Sequence, residues 1–112
     1  MDTYVQVSLI DEETGDCLGV ERKKVEAFAP FVGMWISDPV WRELAGEPGG
    51  EARKVRGVCL YTQREGGPMV VYVEDVKIEK RLLGEYLRVY HKKAEWGNEW
   101  VSTGLGYHKM GF

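Results

Sequence analysis

Residues 4–10 alternate between apolar and polar side chains. Val5, Val7 and Leu9 fall on one side, Tyr4, Gln6 and Ser8 on the other. A period of two marks a half-buried strand. The polar run Asp11-Glu12-Glu13-Thr14-Gly15-Asp16 follows, with a glycine free to take positive φ, and predicts a hairpin loop. A second strand is expected over residues 17–25, with Leu18 and Val20 inward. Its stretch Glu21-Arg22-Lys23-Lys24 reads as solvated or as a sheet edge, where lysines discourage strand addition. Residues 55–61 and 69–73 are the strongest strand signals, Val58-Cys59-Leu60-Tyr61 and Val70-Val71-Tyr72-Val73 being nearly continuous in apolar residues, as in central strands covered on both faces. Arg64-Glu65-Gly66-Gly67-Pro68 reads as the hairpin connection between them.

Helical spacing appears in three places. Phe28, Phe31 and Trp35 lie three and four apart, but Pro30 and Gly33 oppose a long helix there. Asp38 followed by Pro39 is an N-cap with proline at the first helical position. Val40, Trp41 and Leu44 then form one apolar face, which predicts a short helix at about 38–45. Ile78, Leu82, Tyr86 and Tyr90 recur every fourth residue, with Leu83 and Leu87 widening the stripe. One reading makes this a helix capped by Asp75 and running to His91. Another makes residues 86–96 a strand turned by Gly97-Asn98 onto residues 99–103. A compromise, favoured from the sequence, ends the helix near Gly84 and begins a strand after it. These patterns predict one α+β domain over residues 1–112: a mainly antiparallel sheet of four to six strands with one or two helices on one face. An all-β, barrel-like fold is the alternative.

Composition narrows the function. The net charge of −3 opposes a general affinity for nucleic acid, which needs a cationic face. The charge is segregated, however. Residues 77–112 hold seven Lys or Arg against four Glu, with both histidines and six of the thirteen aromatics, and this is where a binding surface is expected. Cys17 and Cys59 fit no metal-ligand spacing and read as reduced thiols, bridged only if their strands are neighbours. No basic-then-apolar start follows Met1 and no apolar run is long enough to span a bilayer, so a cytoplasmic protein with no membrane partner is expected.

Two surfaces are candidates for binding. Tyr86, Arg88, Tyr90, Lys92, Lys93, Trp96 and Trp100 combine stacking faces with phosphate-pairing cations, as a single-stranded nucleic-acid platform would. The alternative packs the aromatics inside and leaves the charges as a solvated face. Phe28, Phe31, Met34, Trp35 and Trp41 would make an apolar patch for a protein partner where exposed, and cover the sheet where buried. The acidic loop at residues 11–16 lacks the EF-hand pattern, and the glycine-rich tail lacks the Gly-Lys-Ser/Thr ending of a phosphate loop. No metal, cofactor or catalytic residue is assigned. The leading expectation is a non-enzymatic binding module: a small accessory or regulatory protein that binds and modulates a larger protein, suited to a host-directed or mobile-element inhibitor. A nucleic-acid binder is the first alternative. A small enzyme using His91 or His108 as acid/base is the second.

Overall fold

The computed structural model describes residues 2–45, 52–61, 68–92 and 100–103. Among them run seven strands, β1 Thr3–Asp11, β2 Cys17–Val25, β3 Trp35–Ser37, β4 Ala52–Leu60, β5 Met69–Val73, β6 Val76–Ile78 and β7 Trp100–Ser102. Two helices accompany them, α1 Pro39–Ala45 and α2 Leu83–Tyr90, the second preceded by a 3-10 turn at Lys80–Leu82. The sheet order is β3-β4-β5-β1-β2-β7, with β6 continuing beside β1. All neighbours are antiparallel except β5 and β6, which run parallel to β1. This is the α+β domain the patterns predict.

The chain reaches that order by one long return. β1 and β2 form a hairpin whose loop is closed by Gly15 at φ 78° and by Asp11 accepting from the Glu13 N–H. The chain then crosses the sheet to β3, enters α1 and returns as β4. A turn at residues 31–34 ends the crossing. Met34 N–H donates to Phe31 C=O, and Gly33 takes a φ of 98° that other residues rarely adopt. α1 begins as the sequence predicts, with Asp38 Oδ1 accepting from the Val40 N–H at 3.0 Å.

The alternation of β1 decides which face is core. Val5, Val7 and Leu9 are buried with Val55, Val71 and Val73 of neighbouring strands, and α1 and α2 lay Val40, Trp41 and Tyr90 over them. On the opposite face Arg22 grips Gln6 Oε1 through Nε and Nη2, at 3.0 and 2.7 Å, and lies over the Tyr4 ring.

Three expectations are corrected. The Ile78–Tyr90 stripe is not a helix ending near Gly84 with a strand beyond it. Residues 76–78 are a strand, and the helix runs through Gly84 to Tyr90. Val76 and Ile78 alternate inward beside Leu9 and Asp11, so sheet pairing overrides the helical period there. β2 is not an edge, because β7 pairs with its outer side and buries Glu21. β4 is not covered throughout: Val58 and Leu60 are exposed. Cys17 and Cys59 are free thiols on strands separated by β5 and β1, three strand spacings of about 4.8 Å apart, far beyond disulfide reach. The loop at residues 62–67, the Gly97-Asn98 turn and the glycine-rich tail lie outside the described residues.

The helical reading of Gly84 yields a stability test. A Cβ built there meets nothing within 4 Å. Gly84→Ala should therefore stabilise the protein by about 0.5–1 kcal/mol in urea unfolding. Gly33→Ala, at positive φ, should destabilise it; a Gly84→Ala that also destabilises would place this segment outside a helix.

Candidate functional site

Two buried carboxylates, one on β2 and one between β3 and α1, tie the elements of the helix-covered face together. Glu21 on β2 stands opposite Val7 on one side and Ser102 on the other, so it points into the helix-covered face, and it is 0% exposed. A charge in that position is tolerated only with hydrogen-bonded partners. His91, just past the end of α2, brings Nε2 to 2.6 Å from Glu21 Oε1, and the Ser102 hydroxyl donates to Oε2. The carboxylate accepts from both, which assigns the ring proton to Nε2.

Asp38 is the second. Its Oδ1 caps α1 through the Val40 N–H and accepts from Trp100 Nε1 at 3.2 Å, while Oδ2 takes Lys23 Nζ at 2.7 Å. One side chain thereby fixes α1, β7 and β2 to each other. Around it Trp41, Tyr90 and Trp100 pack ring against ring. Trp100 lies 5.7 Å from Trp41 and 5.1 Å, edge to face, from Tyr90. Trp41 Nε1 donates to the Tyr90 hydroxyl at 2.9 Å. Burial pushes the Tyr90 phenol well above its ordinary value. Glu21 and Asp38 add to the rise, against opposing pulls from the Trp41 indole and Arg53.

Serine, histidine and glutamate in contact invite comparison with a nucleophilic triad. In a triad the imidazole stands between acid and serine and uses both ring nitrogens. Here the carboxylate stands in the middle. Ser102 Oγ is 3.4 Å from the same Nε2 that bonds Glu21, and its proton is already given to the carboxylate. The imidazole therefore does not bridge acid and serine as it does in a triad. The arrangement clamps the end of α2 and strand β7 to β2. Two cavities are lined by described residues, one by Ser37, Asp38, Pro39 and Arg42, the other by Trp41, Leu44, Arg53, Val76, Lys77 and Tyr86. Glu21, His91 and Ser102 line neither. Among the described residues no group of three or more acidic, His or Cys side chains is placed to hold a metal ion, and no helix is long and apolar enough to cross a membrane.

The expected binding residues separate. Tyr90 and Trp100 are buried in the aromatic cluster, so neither offers a face for a base to stack on; this corrects their place in a nucleic-acid platform. Tyr86 is half-buried against the core, Arg88 is exposed, and Lys92 pairs with Glu43 at 3.3 Å. Lys93 and Trp96 lie outside the described residues. Of the apolar patch, Trp41 is core, again a correction, because α1 lays it directly on the sheet. Phe28 and Met34 are half-buried and pack against that core. Phe31 and Trp35 are exposed, at 60% and 62%.

Sequence reasoning missed three further exposed apolar side chains. Val32 is 68% exposed at the corner of the Phe31–Met34 turn, and Val58 and Leu60 are 39% and 50% exposed on β4. Gly33 N–H donates to Val55 C=O, so the turn stands beside β4 just before Val58. β3 covers β4 only from Ala52 to Lys54, and no described residue pairs with β4 beyond Val55 on that side. Tyr61 N–H donates inward to Pro68 C=O. By the alternation of an antiparallel ladder, the main-chain groups of Val58 and Leu60 therefore point outward. The available signal was Lys54-Val55-Arg56, a polar alternation better suited to an edge than to a covered strand. Lys54 lies over the Trp35 ring, and Arg56 pairs with Asp75 at 3.5 Å.

No protein-family model, curated protein or solved structure matches this chain.

Two measurements check the buried polar groups. Asp38→Ala removes a cap, an indole acceptor and the partner of Lys23, and should cost about 3–5 kcal/mol in urea unfolding. Asp38→Asn, which keeps an oxygen for Val40 and Trp100, should lose less, and adding Lys23→Met should recover part of it. Equal losses in all three would show that the ion pair has no separate role. The raised Tyr90 value has a definite sign. The folded state keeps a proton that unfolded tyrosine releases near its ordinary 10.0. This contribution is complete below pH 10.0 and is lost as pH climbs from there towards the folded value. The urea midpoint should fall above that pH. Tyr90→Phe should be less stable by about 1 kcal/mol at neutral pH and show a shallower alkaline fall.

Proposed function

We propose that this chain is a non-enzymatic protein-binding module that takes an extended segment of a larger partner along the open half of β4 and thereby modulates that partner. One observation carries the reading: five of the six large apolar side chains exposed among the described residues, Phe31, Val32, Trp35, Val58 and Leu60, lie on β4 or on the turn and strand beside it, along an edge whose main-chain groups have no partner among the described residues. An added strand draws affinity from the main chain and specificity from alternate side-chain contacts. Val58 and Leu60 are two residues apart and share one face, the spacing at which an incoming strand presents its own side chains. Proteins ordinarily blunt such edges with charge, proline or a covering segment. Charge is supplied here only along the lower half of β4, by Lys54 and Arg56, and each of these is already engaged. The nucleic-acid reading loses Tyr90 and Trp100 to the core. In the enzyme reading, His91 is held by a carboxylate that also holds Ser102.

A displayed library of random twelve-residue peptides, selected on the full chain, tests this. Selected peptides should alternate apolar residues and bind with micromolar Kd. Binding should slow hydrogen exchange at the Val58 and Leu60 N–H groups. Val58→Pro removes an outward donor while sparing the β4–β5 ladder, and should weaken binding at least about tenfold, as one edge hydrogen bond and its strand geometry are lost. Selected peptides that bind Val58→Pro as well as the parent would sink strand addition. Salt-sensitive binding of a single-stranded oligonucleotide, with no peptide selected, would favour the nucleic-acid reading instead.

A further inference from the structure

The second cavity, about 130 Å³, lies between α1, α2 and the strands β4 and β6. Trp41, Leu44, Val76 and Tyr86 give its walls apolar surface, Lys77 of β6 adds a cation to the lining, and no carboxylate lines it among the described residues. Arg53 of β4 also lines it. Strand pairing sets Arg53 opposite Ile36, whose side chain packs against the core, so the arginine lies on the helix-covered side of the sheet. Its guanidinium has one bond, from Nη1 to Asp75 C=O at 3.1 Å. Its Nε is buried with no hydrogen-bond partner, and no described carboxylate lies within ion-pair distance of it. Of the acidic side chains between β5 and β6, Asp75 lies 3.5 Å from Arg56, its Oδ1 making no hydrogen bond, and Glu74 accepts from the Lys54 N–H.

A half-buried guanidinium without a counter-ion is costly to hold, and arginine is built to meet planar oxyanions with two parallel donors. We propose that this cavity binds a small monocarboxylate, with its anionic head on Arg53 and its apolar body between Trp41, Leu44 and Tyr86. The volume matches roughly four water molecules at about 30 Å³ each, which admits a short aliphatic or single-ring acid and no larger ligand. The apolar side of the cavity, formed by Trp41, Leu44, Val76 and Tyr86, leaves a phosphate's oxygens without partners there. This site is separate from the β4 edge and does not depend on the protein-binding reading.

The test is titration of the isotope-labelled full chain with butyrate and benzoate, each paired with its neutral amide, and with inorganic phosphate. The Trp41 indole N–H resonance is the reporter, since that ring forms the wall. Saturable shifts with the carboxylates, absent with the amides, are expected at concentrations up to roughly 10 mM, the range open to ligands of so few atoms. Arg53→Gln should weaken binding at least about tenfold, the scale of a charged hydrogen bond. Should that variant fail to fold, Leu44→Trp fills the cavity without touching the arginine and should abolish the shifts. No saturable shift, equal binding of the amides, tighter binding of phosphate, or unchanged binding by either folded variant would each overturn the proposal.

Discussion

The fold depends on Asp38. Its carboxylate is nearly buried, yet all its bonds go to different elements: the first turn of α1, the indole of Trp100 on β7 and the ammonium of Lys23 on β2. A helix of seven residues has little stability of its own. It holds because its N-terminus is tied to the sheet by a residue that is also its cap. β7, three residues long, is equally marginal alone, and it is held by the same carboxylate and by Glu21 from the neighbouring strand.

These two carboxylates explain why the aromatics sit where they do. Trp41, Tyr90 and Trp100 come from three elements distant in sequence, and each polar edge finds a partner inside: indole to phenol, indole to carboxylate. Burying such rings contributes roughly 4 kcal/mol apiece by area. That gain is realised only if the N–H groups are satisfied, because an unpaired buried donor costs about 1–3 kcal/mol. Polar and apolar terms are therefore coupled, with the carboxylates setting the geometry in which the rings can close over the sheet.

What the interior consumes, the surface lacks. With Trp41, Tyr90 and Trp100 committed to packing, five of the six large apolar side chains exposed among the described residues lie on β4 and the β3 turn beside it, the sixth being Val101 on β7. The opening where β3 stops and β4 continues follows from local geometry. Gly33 turns the incoming chain beside Val55, leaving β3 three residues in which to cover a strand of nine. A bulge between Val55 and Gly57 shifts the register, so Val58 faces the same side as Val71, beyond the reach of the helices. The edge and the cavity at Arg53 lie at opposite ends of β4.

Much of the scaffold was legible in the sequence. Period-two alternation marks β1, the Asp38-Pro39 pair marks the start of α1, and the apolar runs mark β4 and β5, because each signal is generated by residues adjacent in the chain. The pairing of β2 with β7 was not legible. Glu21 and Lys23 read as a solvated edge, since a lone charged run carries no sign that His91, Ser102 and Asp38 will meet it from 15 to 81 residues away. For the same reason Ile78 to Tyr90 looked continuous, although Val76–Ile78 is claimed by β1. Sequence alone determined which segments extend and which coil, since those preferences arise within a few residues. Only the tertiary structure decided which aromatics are core, which part of β4 has no partner among the described residues and which arginine is half-buried with no described carboxylate at ion-pair distance. Those depend on which distant groups satisfy a buried charge, and that is a property of the packed chain.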